Sequence, residues 1–103
     1  MKVVRSLEFE KEVLQQEGLV LVDFFTEWCG YCELLVPELQ QASEALPEVK
    51  FVKVNAEASS DVAEAYHIEF YPEMLIFKGG KVVGHIDGYV KKDQIIRVLQ
   101  EYL

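Results

Sequence analysis

Residues 19–46 read LVLVDFFTEWCGYCELLVPELQQASEAL, and they predict a buried strand that turns directly into a helix. The run from Leu19 to Phe25 is apolar, β-branched and aromatic, which is typical of a strand buried on both faces, and Asp23 is its only charge. From Cys29 onward, apolar spacings of four, three and four predict a helix whose inner face carries Leu35, Leu39, Ala42 and Leu46. Pro37 lies inside this helix and should kink it. The only two cysteines of the chain therefore lie where the strand gives way to the helix.

The neighbouring segments continue an alternation of strands and helices. Val3 to Arg5 is a short strand candidate, and Ser6 can cap the helix that follows it. Phe51 to Val54 predicts a third strand, and Ser60 or Asp61 can cap a short helix after it. The expected inner faces are Phe9, Val13 and Leu14 in the first helix and Val62, Ala65 and Tyr66 in the short helix.

The last third of the chain predicts a hairpin and a closing helix. Two β-rich runs, Met74 to Phe77 and Val82 to Ile86, are joined through Gly79-Gly80, a dipeptide suited to a tight turn. Lys91 to Leu103 follows as a helix with Ile95, Leu99 and Tyr102 on its inner face. The resulting order, β-α-β-α-β-α-β-β-α, is that of an α/β protein with helices on both faces of a five-stranded mixed sheet.

Length and charge exclude several classes of protein. The 103 residues suffice for one domain, which we expect to span residues 1–103. Eighteen acidic against ten basic residues give a net charge of −8, so we expect neither nucleic acid nor a membrane as a partner. The first ten residues lack the apolar stretch of a secretory signal, and no apolar run approaches the ~18 residues of a membrane span. We therefore expect a cytoplasmic protein.

The spacing of the two cysteines predicts thiol-disulfide chemistry. A cysteine at the start of a helix meets unpaired backbone N–H groups and the positive end of the helix dipole, and Cys29 holds this position. Both effects favour its thiolate. Cys32 follows three residues later, so a disulfide can bridge the two sulfurs. We expect the Cys29 thiolate to attack a substrate disulfide, after which Cys32 displaces the substrate and leaves a Cys29–Cys32 bond.

Motifs along nearly the whole chain resemble those of the thioredoxin family. They are VDFFTEWCGYC at 22–32, Pro37, FVKVN at 51–55, the dipeptide Tyr71-Pro72, FKGGKVV at 77–83 and Gly88. The resemblance implies the thioredoxin fold, a five-stranded mixed sheet in the order 1-3-2-4-5 flanked by four helices. It also implies a protein-disulfide reductase that is recharged by an electron donor such as thioredoxin reductase. We expect it to need no cofactor of its own and to be a monomer.

The resemblance further implies roles for individual residues. Cys29 corresponds to the attacking thiol, Cys32 to the buried resolving thiol, and Pro72 to a cis-proline whose neighbouring backbone pairs with an extended substrate. Asp23 matches the family's buried aspartate. Loss of solvation in its apolar strand independently predicts a raised pKa, which suits a proton acceptor for Cys32. Lys53 matches a lysine that offsets this charge. The predicted substrate-binding residues are Trp28, Gly30, Tyr31, Tyr71, Pro72 and Gly88.

Two features depart from the family pattern. Gly-Tyr stands between the cysteines, where thioredoxins usually carry Gly-Pro, and this pair resembles the bacterial periplasmic disulfide isomerases. Tyr31 restores a backbone N–H that proline lacks, and a hydrogen bond from it to the Cys29 thiolate would make the disulfide more oxidising. Acidic residues also cluster near the motifs, which predicts a preference for basic or neutral protein substrates. They are Glu27, Glu33, Glu69 and Glu73.

Other interpretations of the cysteine pair compete with reduction of protein disulfides. One is half of a structural zinc site, but only His67 and His85 could complete it, and their spacing fits no finger pattern. We therefore expect no bound metal. Others are a disulfide isomerase or oxidase, which the Gly-Tyr pair favours, and a glutathione-coupled reductase. The last is a non-catalytic binding subunit that holds a partner through Trp28 and Tyr71, although a scaffold needs neither thiol.

Overall fold

Strand β2 (Leu19–Phe25) lies at the centre of the sheet, as its apolar sequence predicts. The computed structural model describes residues 1–103. The other strands are β1 (Lys2–Val3), β3 (Lys50–Asn55), β4 (Glu73–Lys78) and β5 (Lys81–Asp87). Together they form one sheet in the order β1-β3-β2-β4-β5. Strands β1, β3 and β2 run parallel, and β4 pairs antiparallel with both β2 and β5. The predicted 1-3-2-4-5 sheet is confirmed, although β1 begins and ends earlier than expected.

Four helices cover the two faces of this sheet, as predicted. Helix α1 consists of an α-helical turn (Ser6–Phe9) and a π-helical segment (Glu10–Leu14), and the others are α2 (Gly30–Ala45), α3 (Ser60–Ala65) and α4 (Lys92–Gln100). One buried apolar cluster contains side chains of α1 and α3, and a second contains those of α2 and α4. Because strand residues alternate between faces, β2 contributes to both clusters. No helix is long and apolar enough to cross a membrane.

Helix α1 starts differently from the sequence prediction. Its N-cap is Arg5, whose backbone N–H donates to Glu8 Oε1 at 3.0 Å. The Ser6 hydroxyl, predicted to be the cap, instead donates to a carboxylate oxygen of Asp61. The prediction was wrong because this side chain links α1 to the start of α3 and does not bond its own helix.

Helix α3 also differs from the prediction in its cap and its inner face. Its N-cap is Ser59, and Ala63 takes the buried position that we expected for Ala65, which is exposed. At ~100° per residue, Val62, Ala63 and Tyr66 share one arc of the helix, and Ala65 falls outside it. A helix of six residues is too short for its apolar period to be read from sequence.

The hairpin of β4 and β5 matches its prediction. Gly79 and Gly80 connect the strands with φ values of 58° and 78°, the left-handed backbone that a tight hairpin turn requires. A Cβ at Gly80 would lie 2.7 Å from the Leu14 carbonyl oxygen, so a side chain has no room there. Helix α4 ends at Gln100, three residues before the predicted end, and Tyr102 packs against the second apolar cluster.

A disulfide at the start of helix α2

The two cysteines form a disulfide at the amino-terminal end of α2. Their Cα atoms are 5.2 Å apart, and Cys29 is the N-cap residue of the helix. The backbone N–H of Cys32 donates to Cys29 Sγ at 3.1 Å. This donor differs from our expectation, which assigned such a bond to the N–H of Tyr31. The helix N-terminus thus places one donor and the positive end of the dipole at the Cys29 sulfur, and both favour a thiolate there.

The two sulfur-bearing residues differ in exposure. Cys32 retains only 4% of its accessible surface and lies on the inner side of α2. Cys29 is half-buried, because the N-cap position precedes the first helical turn at the end of the sheet. A substrate can therefore approach Cys29 more easily than Cys32.

Strand β2, which precedes the cysteine pair in the chain, buries a carboxylate that has no hydrogen-bond partner. Asp23 is completely inaccessible, and neither of its carboxylate oxygens is hydrogen-bonded. Burial raises its pKa to about 7, an effect that the charge of Lys53 partly opposes. Lys53 is the residue directly beside Asp23 on β3, and its Nζ lies 4.4 Å from the centre of the Phe25 ring. The predicted rise in the Asp23 pKa is thus explained by desolvation.

A cleft of about 230 Å³ opens beside Cys32. Cys32 and Lys53 both line it, at the side of α2 that faces β3. The remaining lining residues are Phe25, Thr26, Glu27, Glu33 and Val36. The sequence analysis did not find this cleft. A signal was available in Val36, which lies one helical turn after Cys32 and therefore on the same side of α2.

The predicted cis-proline loop lies between α3 and β4. The Tyr71–Pro72 peptide bond is cis, and Pro72 is buried. The backbone N–H of Gly88, just after β5, donates to the Pro72 carbonyl at 2.9 Å. Gly88 has a φ of 74°, which glycine adopts without strain. The loop is thus attached to the end of the hairpin.

Several aromatic side chains near these motifs are open to solvent. Trp28, Tyr31 and Phe70 keep 89%, 64% and 77% of their accessible surface. Tyr89 lies beside Tyr31, with ring centres 6.3 Å apart. Tyr71, which we expected in the docking surface, is half-buried and packs against the first apolar cluster. The sequence analysis missed Phe70 and Tyr89, whose only signal was their place beside Tyr71-Pro72 and Gly88.

The four acidic residues that the sequence analysis grouped together have different surroundings. Glu27, Glu33 and Glu69 are exposed. Glu73 is half-buried and lies opposite Asp87 in the β4–β5 ladder. Its pKa is raised to about 7 by burial and by the Asp87 carboxylate. Only the first three carboxyl groups are therefore fully open to solvent.

Neither His85 nor His67 forms a cluster of metal-ligating side chains with the cysteine pair. His85 Nδ1 lies 2.8 Å from Asp87 Oδ1, and the pKa of His85 is raised by that contact. Glu73, His85 and Asp87 are the only three metal-ligating side chains whose ligand atoms lie within 4.8 Å of one another. No cysteine belongs to this group, so the structure does not assemble the alternative zinc site.

This sheet order, with a half-exposed and a buried cysteine joined at the start of α2, defines a thiol-disulfide oxidoreductase of the thioredoxin fold. The family model described as Thioredoxin matches residues 1–101. Thioredoxin of Chlamydia trachomatis is 40% identical over 85 residues, which cover 82% of this chain and 83% of that protein. Thioredoxin of Synechocystis is 37% identical over 101 residues, 97% of this chain and 94% of that protein.

A solved structure agrees with these sequence relatives. The crystal structure of Chlamydomonas reinhardtii thioredoxin f2 superposes with a TM-score of 0.90 at 30% identity, covering 99% of this chain and 95% of that one. The chain belongs to the thioredoxin family. It is a protein-disulfide reductase whose redox-active pair is Cys29 and Cys32.

Proposed function

We propose that Cys29 is the attacking thiol of this reductase and Cys32 the resolving thiol. The observation that carries the assignment is the difference in exposure, since Cys29 is half-buried and Cys32 is 4% exposed. The Cys29 thiolate attacks one sulfur of a substrate disulfide, and the electron pair of the broken bond leaves on the other substrate sulfur, which takes up a proton. Cys32 then attacks Cys29 Sγ. The second substrate thiol leaves, and both electrons have passed to the substrate.

Asp23 receives the Cys32 proton in the second step of this proposal. A buried thiol is a poor nucleophile until it is deprotonated, so a base is needed inside the protein. The Asp23 pKa of about 7 allows the carboxylate to take up and release a proton near neutral pH. Lys53 holds a positive charge on the adjacent strand, and the cleft that it shares with Cys32 gives water access for the proton to leave. We therefore assign Asp23 and Lys53 as catalytic residues together with Cys29 and Cys32.

The substrate-binding surface surrounds Cys29. Trp28 and Tyr31 supply exposed apolar area on the α2 side, with Gly30 between the cysteine and Tyr31. Pro72 and Gly88 supply the opposite wall, where a substrate segment pairs with the backbone next to the cis-proline, as the family resemblance implies. Tyr71 is half-buried against the first apolar cluster, and its exposed part belongs to the same wall. An exposed apolar surface of this kind fits an extended peptide around an accessible disulfide.

The charge of this surface selects the substrate. Glu27, Glu33 and Glu69 are exposed, and the chain carries a net charge of −8. These charges attract basic segments and repel acidic ones, mainly by changing the rate of association. Basic or neutral protein disulfides are the preferred substrates.

The electron donor and the cellular compartment of the protein follow from the same thiol-disulfide chemistry. A dithiol that reduces proteins has to be re-reduced, and we assign this task to thioredoxin reductase in the cytoplasm, where thiols are kept reduced. Residues 1–103 act as one domain and as a monomer, since both apolar clusters are closed within the chain.

Trapping of substrates tests the assignment of the two thiols. Cys32→Ser should accumulate mixed disulfides through Cys29, while Cys29→Ser should form none, as seen by nonreducing electrophoresis after incubation with insulin. Both variants should lose steady-state insulin reduction with thioredoxin reductase and NADPH. Mixed disulfides in Cys29→Ser but not in Cys32→Ser would reverse the roles. Full turnover of the wild type by glutathione alone, with none by the reductase, would instead favour a glutathione-coupled enzyme.

A further inference from the structure

The β4–β5 ladder places two carboxylates directly opposite each other, next to the cis-proline loop. Glu73 is the first residue of β4 and immediately follows Pro72, and Asp87 is its register partner on β5. Side chains at paired positions of an antiparallel ladder lie on the same face and in contact. Like charges at such positions destabilise the ladder. The pairing of Glu73 with Asp87 is favourable only when one of the two carboxyl groups carries a proton.

The surroundings show which carboxyl group holds that proton. Glu73 Oε2 is buried and has no hydrogen-bond donor, whereas Asp87 is exposed and accepts a bond from His85. The pKa of Glu73 is raised to about 7, first by burial, and that of Asp87 is lowered, first by its bond with Glu73. Both effects favour the proton on Glu73.

Few charged groups lie close enough to act on the Glu73 carboxyl group. The charged residues that act on its carboxyl group, Asp87 and His85, both belong to β5. On the other side, β2 places the apolar Phe24 opposite Glu73. Loss of the Glu73 proton would thus create a second negative charge in a half-buried position, which His85, already in contact with Asp87, offsets only in part.

This ladder position is coupled through the backbone to the proposed substrate-binding wall. The Gly88 N–H, one residue after Asp87, donates to the carbonyl of Pro72, one residue before Glu73. We propose that Glu73 is a positioning residue for the reductase: its carboxyl group donates a hydrogen bond to Asp87 and so holds the Pro72–Gly88 contact in register. Repulsion between the two carboxylates then loosens this contact and weakens substrate binding as the pH rises. This inference rests on the proposed role of Pro72 in binding.

A direct test follows the Gly88 amide by ¹H–¹⁵N NMR in the oxidised protein between pH 5.5 and 8.5. The Gly88 resonance should shift with a midpoint near the Glu73 pKa of about 7, and this shift should vanish in Glu73→Gln, whose amide donates at every pH. The Asp23 pKa is also about 7 and the His85 pKa is raised by Asp87, so Asp23→Asn and His85→Gln serve as controls and should retain the shift. A Gly88 shift that persists in Glu73→Gln, or is absent in the wild type, overturns the inference.

The second arm measures KM and kcat for insulin across the same pH range. KM of the wild type should rise about threefold to tenfold as Glu73 deprotonates, the value of one hydrogen bond, while KM of Glu73→Gln stays flat. Glu48→Gln removes an exposed acid beyond the far end of α2 and should follow the wild-type profile. Equal KM profiles in wild type and Glu73→Gln refute the positioning role. Pro72→Ala tests the underlying function separately, because it should raise KM at every pH.

Discussion

The buried carboxylate of Asp23 makes the protein less stable as the pH rises, and Asp23→Asn should remove that dependence. The group has a pKa of 3.8 when solvated and about 7 in the fold, so the folded state binds the proton more tightly. Stability is therefore greatest below pH 3.8, where Asp23 is protonated in both the folded and the unfolded state, and it falls as the pH rises to about 7.

The expected loss in the free energy of unfolding follows from the two pKa values of Asp23. Each pKa unit is worth ~1.4 kcal/mol, so fully ionised Asp23 destabilises the fold by roughly 4 kcal/mol. About 1.5 kcal/mol of this is already present at pH 5, because the unfolded chain is ionised there while the folded one is not. Between pH 5 and pH 8 the wild type should thus lose about 2.5 kcal/mol more stability than Asp23→Asn.

Guanidinium unfolding of the oxidised protein, followed by far-UV circular dichroism, measures this difference. The asparagine itself is buried without a partner and costs ~1–3 kcal/mol, but this cost does not change with pH and cancels in the comparison. Glu33→Gln is a matched control, since it removes an exposed carboxylate beside the cleft. If the free energies of unfolding of wild type and Asp23→Asn change equally from pH 5 to pH 8, the Asp23 pKa is not raised by burial and the prediction is wrong.

Other substitutions test the packing and the charge of the site. Gly80→Ala should destabilise the fold by ~2–4 kcal/mol in chemical unfolding, because its backbone is left-handed and a Cβ would meet the Leu14 carbonyl at 2.7 Å. Gly79 has the same left-handed backbone, but a Cβ there would meet no other atom, so Gly79→Ala should destabilise the fold by only ~1 kcal/mol. Equal losses of stability in Gly79→Ala and Gly80→Ala would disprove the clash. Leu39→Ala empties a fully buried position and should cost ~2–5 kcal/mol, whereas Leu34→Ala, at an exposed position on the same helix, should change stability by less than ~0.5 kcal/mol. Glu33→Lys should raise kcat/KM for an acidic protein disulfide by roughly threefold at low salt and little at high salt, while Glu48→Lys, with the same change in net charge at the far end of α2, should not.

The strands were predictable because single elements carried strong signals, whereas the sheet order was predicted from the family resemblance. The run Leu19–Phe25 is apolar at every position except Asp23, and only a strand covered on both faces buries it. Gly79-Gly80 placed the hairpin for an equally local reason, since few other residues adopt its turn. The weaker predictions, at Ser6 and Ala65, concerned short helices whose ends depend on contacts with other elements.

Some features of the site are likewise determined by a single element, and others by tertiary packing. Cys29 at a strand-to-helix junction and Asp23 in an apolar strand were visible because one element decides their environment. The cleft beside Cys32 and the exposure of Phe70 depend on how distant segments pack, so the local signals, Val36 and the neighbouring Tyr71-Pro72, could not establish them.

Glu73 shows the limit of the sequence argument most clearly. From sequence it is one more acid near the active site, equivalent to Glu33 or Glu69. Strand pairing places it opposite Asp87, fourteen positions further along, and burial then converts a surface charge into a neutral hydrogen-bond donor. Asp23 and Glu73 thus both have pKa values near neutrality but lie on opposite faces of the sheet, since their neighbours on β4 and β2 belong to different apolar clusters. Protonation at one face would govern the resolving thiol, and protonation at the other would govern the loop that meets the substrate, so kcat and KM should respond to pH through separate residues.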